Sequence, residues 1–235
     1  LANNGALLAQ LKTAHESGEI RGWLSGETEA ITALFDLLPR PSLAQQVEGT
    51  KAFFRTLNSL GLTGVIDPGG YNMPLEAYGA VQQLARDGAL TLRVTYSLSA
   101  PAPGGELRDF DRLTKDLPMG AGEGHLRFNG LGENVTWGMY NNEKPTPDDK
   151  AALARVLEMA AQRRLSVTFH WMNDRSVGHL LDVLEGVDAK SPIADLRWSI
   201  AHLHDATTPS LERMKKLGVG WLVQNAFYFR GGAFV

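Results

Sequence analysis

The chain has 235 residues, 23 lysines and arginines against 26 aspartates and glutamates, a formal charge of −3 and no cysteine. That length suits one large domain, while the scattered basic residues lack the electrostatic footprint that a polynucleotide needs. Without cysteine there are no disulfides and no thiolate metal sites, no apolar stretch is long enough to span a bilayer, and no charged start leads into an apolar core. The cytoplasm is the default compartment.

Residues 1–41 show helical spacing in places, with Leu7, Leu8 and Leu11 on one face and Ile31, Leu34, Phe35 and Leu38 on another. They read as a helical cap or packing segment ahead of a main body over 42–235. Pro39 and Pro41 punctuate, Ser42 offers an N-cap, and a helix is predicted from Leu43 to about Leu60, ended by Gly61. The first strand is Leu62–Asp67. Its Pro68-Gly69-Gly70 turn leads through Pro74 to a helix closing near Asp87, and Asp67 is read as the anchor of that turn. The second strand, Leu90 to Leu98, is followed by a Pro/Gly-rich loop and a short helix. The third, His125–Leu131, opens into a loop from Gly132 to Pro147 that carries Glu133, Asn134, Trp137, Tyr140 and Asn141. Loops of that length inside a compact domain usually serve function. Thr146-Pro-Asp-Asp149 is a strong helix start, and the helix runs to about Arg164.

Two segments then close on histidine, Leu165–His170 and Leu196–His202, joined by one helix. In the first, Ser166, Thr168 and His170 share one face and Leu165, Val167 and Phe169 the other. Thr208-Pro209 starts a last helix, Gly218 ends it, and Val219–Asn225 is the sixth strand. Six strands alternating with helices predict a parallel α/β fold. A doubly wound sheet would carry a nucleotide-type glycine fingerprint, and Asp67-Pro-Gly-Gly is not one, so a TIM-type barrel is expected. In such a barrel residues at the C-terminal strand ends face the active site, and His170 and His202 on consecutive strands would meet there. Paired imidazoles suit a divalent transition metal. A strand-end histidine also serves as a hydrogen-bonded structural residue, and the two readings stand nearly even for the pair.

The segments Gly61–Gly69, Val167–Val177, Arg197–His202 and Leu217–Gln224, in this order and spacing, resemble the amidohydrolase superfamily, in the family 3 branch that includes N-substituted formamide deformylases. The resemblance runs from about Arg21 to Phe229. It implies a (β/α)8 barrel in which His170 and His202 close the fifth and sixth strands and bind a divalent metal, zinc foremost. That metal would activate water for hydrolysis of an amide, formamide or cyclic C–N bond in a small-molecule substrate. Asp174 matches an acid of the family pattern and is carried as a catalytic candidate, although its position also suits a helix cap that fixes the loop.

Three departures accompany the resemblance. A His-x-His on strand one and an aspartate on strand eight are absent, so the barrel lacks strands 1 and 8 in this chain. The chain starts at Leu1 without methionine and stops just after a strand and its loop, so it reads as an excerpt, inactive alone, its metal absent if the site is cut, its edges to be filled by a complementing segment or a homo-oligomer. Where many relatives carry a metal-bridging lysine, this chain carries Arg127, a guanidinium that cannot ligate. Glu133 could bridge instead, and Arg127 could hold a substrate carboxylate or a structural ion pair. A non-catalytic relative that binds a small molecule is the alternative, and a metal-free hydrolase using paired carboxylates is a weaker third. His204 reads as a solvated loop residue, while His125 and His179 lie away from the strand ends. Trp137, Tyr140, Trp171, Phe227 and Tyr228 follow strand ends, where pocket walls belong.

Overall fold

The computed structural model describes residues 41–69 and 75–224. The chain divides into two compact units, Leu1–Ser42 and Leu43–Val235. The helical segment expected over 1–41 lies, apart from Pro41, outside the described residues, as do Gly70, Pro74, Asn225, Phe227 and Tyr228.

In the second unit the elements are α1 (Leu43–Ser59), β1 (Gly64–Asp67), α2 (Gly79–Arg86) after a single 3-10 turn, β2 (Arg93–Leu98), α3 (Glu106–Thr114), β3 (Leu126–Leu131), α4 (Pro147–Gln162), β4 (Thr168–Trp171), α5 (Asp174–Asp188), β5 (Ser199–His202), α6 (Thr208–Leu217) and β6 (Gly220–Leu222). Local chemistry sets several boundaries. At the start of α4 the Thr146 hydroxyl accepts from Asp149 N at 3.2 Å while the Asp149 carboxylate accepts from Thr146 N at 2.8 Å, a reciprocal cap completed by Pro147 in the first turn. Gly218, at φ 67°, takes the left-handed position that ends α6. None of the helices described is long and apolar enough to cross a membrane.

The strands form two three-stranded parallel sheets, β1-β2-β3 and β4-β5-β6. A parallel bridge between Leu131 and Val167 links the last strand of one to the first of the other. Strand order therefore follows chain order from β1 to β6. A doubly wound sheet reverses direction at a switch point; this order does not, so the open-sheet alternative falls and a singly wound α/β arrangement stands. Among the described residues the six strands make an open run and no closed barrel. Its two ends are bare, with Ile66 of β1 71% exposed and Val223, just past β6, 58% exposed.

Burial follows the period-2 pattern of the central strands. Val167, Phe169 and Ile200 turn to the helices and meet Leu153, Leu157, Val177, Leu181, Leu184 and Met214 in the main core, where Trp198 donates its indole N–H to Leu165 O at 2.9 Å. A smaller core of Phe54, Leu84, Leu90, Leu92 and Val94 packs α1 and α2 around β2. On the other face, Thr168 and Ser199 pair hydroxyl to hydroxyl at 3.0 Å.

The end of β3 depends on two glycines. Gly130 has φ 98°, and a Cβ there would lie 2.1 Å from Ser166 O; a Cβ on Gly132 would lie 1.9 Å from Pro68 O. The chain can therefore pass close to β1 and β4 at once and present the next residue, Glu133, between the two sheets. Gly132→Ala should force Pro68 and Glu133 apart and cost about 2 kcal/mol or more of stability, in the range of overpacking a tight core. Urea denaturation of the purified chain checks this, and a midpoint equal to wild type would refute the close-approach reading.

Candidate metal centre

Glu133 follows β3 directly, and its backbone crosses the seam between the sheets. Its N–H donates to Pro68 O at 2.8 Å, and its carbonyl accepts from His170 N at 3.0 Å. These bonds fix the backbone from which the side chain projects toward His170, the third residue of β4, and His202, the last of β5. His170 Nδ1 lies 3.1 Å from Glu133 Oε2, and His202 Nε2 lies 3.6 Å from the same oxygen. The two imidazoles meet edge to face with centroids 4.5 Å apart. Among the described residues these three form the one group of histidine, aspartate and glutamate side chains close enough to hold a metal ion together, each offering an atom within 4.8 Å of the others.

Regular pairing alone does not bring the histidines together. In the β4–β5 register His170 stands opposite Ala201, and His202 opposite Trp171, so strict alternation would send His202 to the helix-facing side with Ile200. His202 instead has φ 73°, and Leu203 follows at 39°. This left-handed kink costs of order 1 kcal/mol per residue. It turns the imidazole back onto the face of His170. The kink is anchored on both sides, by Leu203 N donating to Trp171 O at 2.7 Å and by the Trp221 indole N–H donating to the His202 carbonyl at 3.0 Å.

The electrostatics follow from the geometry. Burial pushes the Glu133 carboxyl up, but His170 and His202 outweigh it and draw the pKa down to about 2. The group is a carboxylate at any physiological pH. Glu133 likewise raises the pKa of His202 against the opposing effect of burial, with Gln224 adding in the same direction. Yet among the described residues neither buried ring nitrogen of His202 has a hydrogen-bond partner, and 3.6 Å from Nε2 to Glu133 is too long for one. A buried pair of unsatisfied nitrogens is costly in an apoprotein. Donor atoms around a four-coordinate ion with bonds of about 2.0–2.2 Å lie about 3.3–3.6 Å apart, and the 3.1 and 3.6 Å separations here are close to that. Two imidazoles and one carboxylate are also a donor set that zinc and its neighbours accept.

Around this group Tyr140 lies flat on His170, with ring centroids 4.6 Å apart and planes inclined by 18°. The loop bearing it is pinned by Asn141, whose side-chain oxygen accepts from Met172 N at 2.8 Å. Trp171 is 1% exposed, donates its indole N–H to the Ser176 hydroxyl and lines a small cavity together with Tyr140 and His170. Trp137 is half-buried, and its backbone N–H donates to the Glu106 carboxylate at 3.2 Å.

The structure does not bring Arg127 to the group. It stands second in β3, at the end away from Glu133, exposed, with its guanidinium donating to the carbonyls of Gly120 and Gly122 at 3.1 and 3.3 Å. Nor is Asp174 in the group. As the first residue of α5, it accepts from Thr207 N at 3.0 Å and from the Thr207 hydroxyl at 2.8 Å, while Asp205 accepts from Asp174 N at 2.7 Å. The loops after the two histidines thus cap one another. Asp67 anchors its turn as expected, accepting from Gly69 N at 2.9 Å. His204 is exposed, and His125 hydrogen-bonds Leu90 O at the far end of the strands.

Sequence reasoning gave Glu133 only a secondary place, as a substitute bridging acid. The signal that marks it is the Gly130-Leu-Gly132 pair, which lets an acid close a strand where two neighbours approach.

The sequence matches the amidohydrolase family over residues 8–235. The chain belongs to that family. Among solved structures it is similar to an uncharacterized metal-dependent hydrolase from Pyrococcus horikoshii OT3, at 21% identity and a TM-score of 0.58, covering 85% of this chain and 40% of that one. It is also similar to one from Pyrococcus furiosus, at 22% identity and a TM-score of 0.59, covering 86% of this chain and 42% of that one. At such identity the likeness concerns the fold. The chain spans about two-fifths of the length of these two proteins. No curated protein matches it.

Burial raises the pKa of Asp174, but the bonds from Thr207 N, the Ser210 hydroxyl and the Thr207 hydroxyl outweigh it and hold the carboxyl below the ordinary value of 3.8. A depressed carboxyl stabilises the fold fully above that value and progressively less as pH falls below it. Asp174→Asn should therefore cost about 1 kcal/mol near neutral pH, with the difference from wild type shrinking below pH 3.8. Urea midpoints of both proteins across pH 3–7 measure it. A difference that grows on acidification would exclude the clasp.

Proposed function

We propose that this chain is the larger part of the catalytic barrel of a metal-dependent hydrolase, one that cleaves a C–N bond of an amide, formamide or cyclic amide in a small molecule. Glu133, His170 and His202 hold its divalent metal, zinc being the best match to two imidazoles and a carboxylate. One observation carries this reading: two strand-end imidazole nitrogens converge on one carboxylate oxygen at 3.1 and 3.6 Å, with the His202 nitrogens buried. Membership of the amidohydrolase family supports the class of chemistry, and the strand order supports a barrel segment completed by strands from another stretch of chain.

A bound metal supplies Lewis acidity toward a carbonyl and lowers the pKa of water. The residues of this chain do the rest. Glu133 stays charged and so offsets the cation. His170 is held in orientation by the flat Tyr140 ring, and His202 is held by its anchored kink. Asp174 acts by clasping the loops behind the two histidines rather than by touching substrate, and Arg127 acts on the fold at the opposite end of β3.

Metal analysis tests the reading. After removal of loosely bound ions the 235-residue chain should retain about one metal ion per molecule, the occupancy a three-ligand site implies. His170→Ala with His202→Ala should abolish retention, and Glu133→Gln should weaken it at least about tenfold. Retention unaffected by these substitutions would refute the site. Robust amide or formamide hydrolysis by these 235 residues would refute the partial-barrel reading.

A further inference from the structure

Behind the Glu133 and His170 side chains lies a small chamber whose other walls include Thr136, Tyr140, Leu153 and Leu180. It leaves about 10 Å³ of space for the centre of a water molecule, which is about the room one water occupies. No substrate fits there. The lining side chains that carry polar atoms are Glu133, Thr136, Tyr140, His170 and Trp171, the last with its indole N–H on the Ser176 hydroxyl. Thr136 is 2% exposed, and its hydroxyl has no hydrogen-bond partner. The Glu133 carboxylate turns Oε2 to both histidines, 3.1 Å from His170 Nδ1 and 3.6 Å from His202 Nε2.

A threonine hydroxyl sealed away without a partner destabilises a fold, and valine has the same shape without that cost. A buried hydroxyl and a carboxylate that line one water-sized space satisfy one another if a water stands between them, because water can donate to both or donate and accept. We propose that this chamber is a one-water site anchored by the Thr136 hydroxyl, and that the water holds the Glu133 carboxylate from behind. Thr136 is then a positioning residue, acting on the acid through the water and touching neither metal nor substrate. The proposal rests on the metal-site reading for its effect on metal affinity, and on the chamber alone for the water.

The test uses the 235-residue chain and two variants, Thr136→Val, which keeps the shape and removes the hydroxyl, and Thr136→Ser, which keeps the hydroxyl. Three measurements follow: thermal unfolding without metal, Co²⁺ binding followed by its visible absorption, and a high-resolution crystal structure of the wild type. A bridging water predicts that Val lowers the midpoint by about 2–4 °C and weakens Co²⁺ binding about 3–30-fold, as loss of a ligand's supporting bond does. Ser should restore the affinity, which a purely steric role of Thr136 would not allow, and the crystal should show a water within hydrogen-bonding distance of Thr136 Oγ1. A dry chamber, a more stable Val variant, or Val matching Ser in Co²⁺ affinity would overturn the proposal. If the wild type binds no Co²⁺, the metal reading fails, and the order of midpoints with the electron density still decides the water.

Discussion

The structure depends on one carboxylate placed at the junction of two sheets. Glu133 ties β1 and β4 through its backbone, by the bonds to Pro68 O and from His170 N, and ties β4 and β5 through its side chain, by its approach to His170 and His202. The first pair of contacts resembles a continuation of the sheet ladders. The second is electrostatic, in a partly buried setting where desolvation by itself pushes the carboxyl pKa up. His170 and His202 outweigh that effect and hold the carboxyl below its ordinary range.

The rest of the architecture keeps this meeting point rigid. Core side chains from α4, α5 and α6 press on the outer face of β4 and β5, so the strands cannot shift without opening the main core. The reciprocal bonds among Asp174, Asp205 and Thr207 lock the two loops just beyond the histidines. Farther out, Arg213 of α6 joins Asp182 and Glu185 of α5, and Lys150 of α4 reaches Asp182. Surface ion pairs of this kind contribute little each. Their value lies in linking three successive helices behind one site.

The rigid part is also asymmetric. Both histidines stand on β4 and β5 with the flat Tyr140 ring beside them, and the main core runs behind β2 to β5, whereas β1 and β6 leave large apolar side chains exposed at either end of the run. Strands exposed in this way normally pair, are covered or are charged. The fold is thus organised from its middle outward, with the seam between β3 and β4 at the centre.

Alternation of strand and helix, the caps at Thr146 and Gly218, and the polar face ending in His170 were all readable from local pattern, because each rests on contacts within a few residues. The parallel α/β class and the family resemblance followed from them. Glu133 as the third member of the group was decided by tertiary structure. Its place depends on Gly130 and Gly132 letting β3 end against Pro68 and Ser166, segments 34 or more residues away in the chain. The meeting of the histidines was expected from their strand-end positions, but the way His202 reaches it was beyond the sequence pattern. A two-residue repeat sends His202 to the helix side, and the left-handed backbone that turns it back is paid for by the Trp171 and Trp221 contacts. Arg127 shows the same limit in reverse. Its type suggested a ligand for substrate, but which end of a strand a side chain serves is fixed by how the sheet is wound and not by the residue itself.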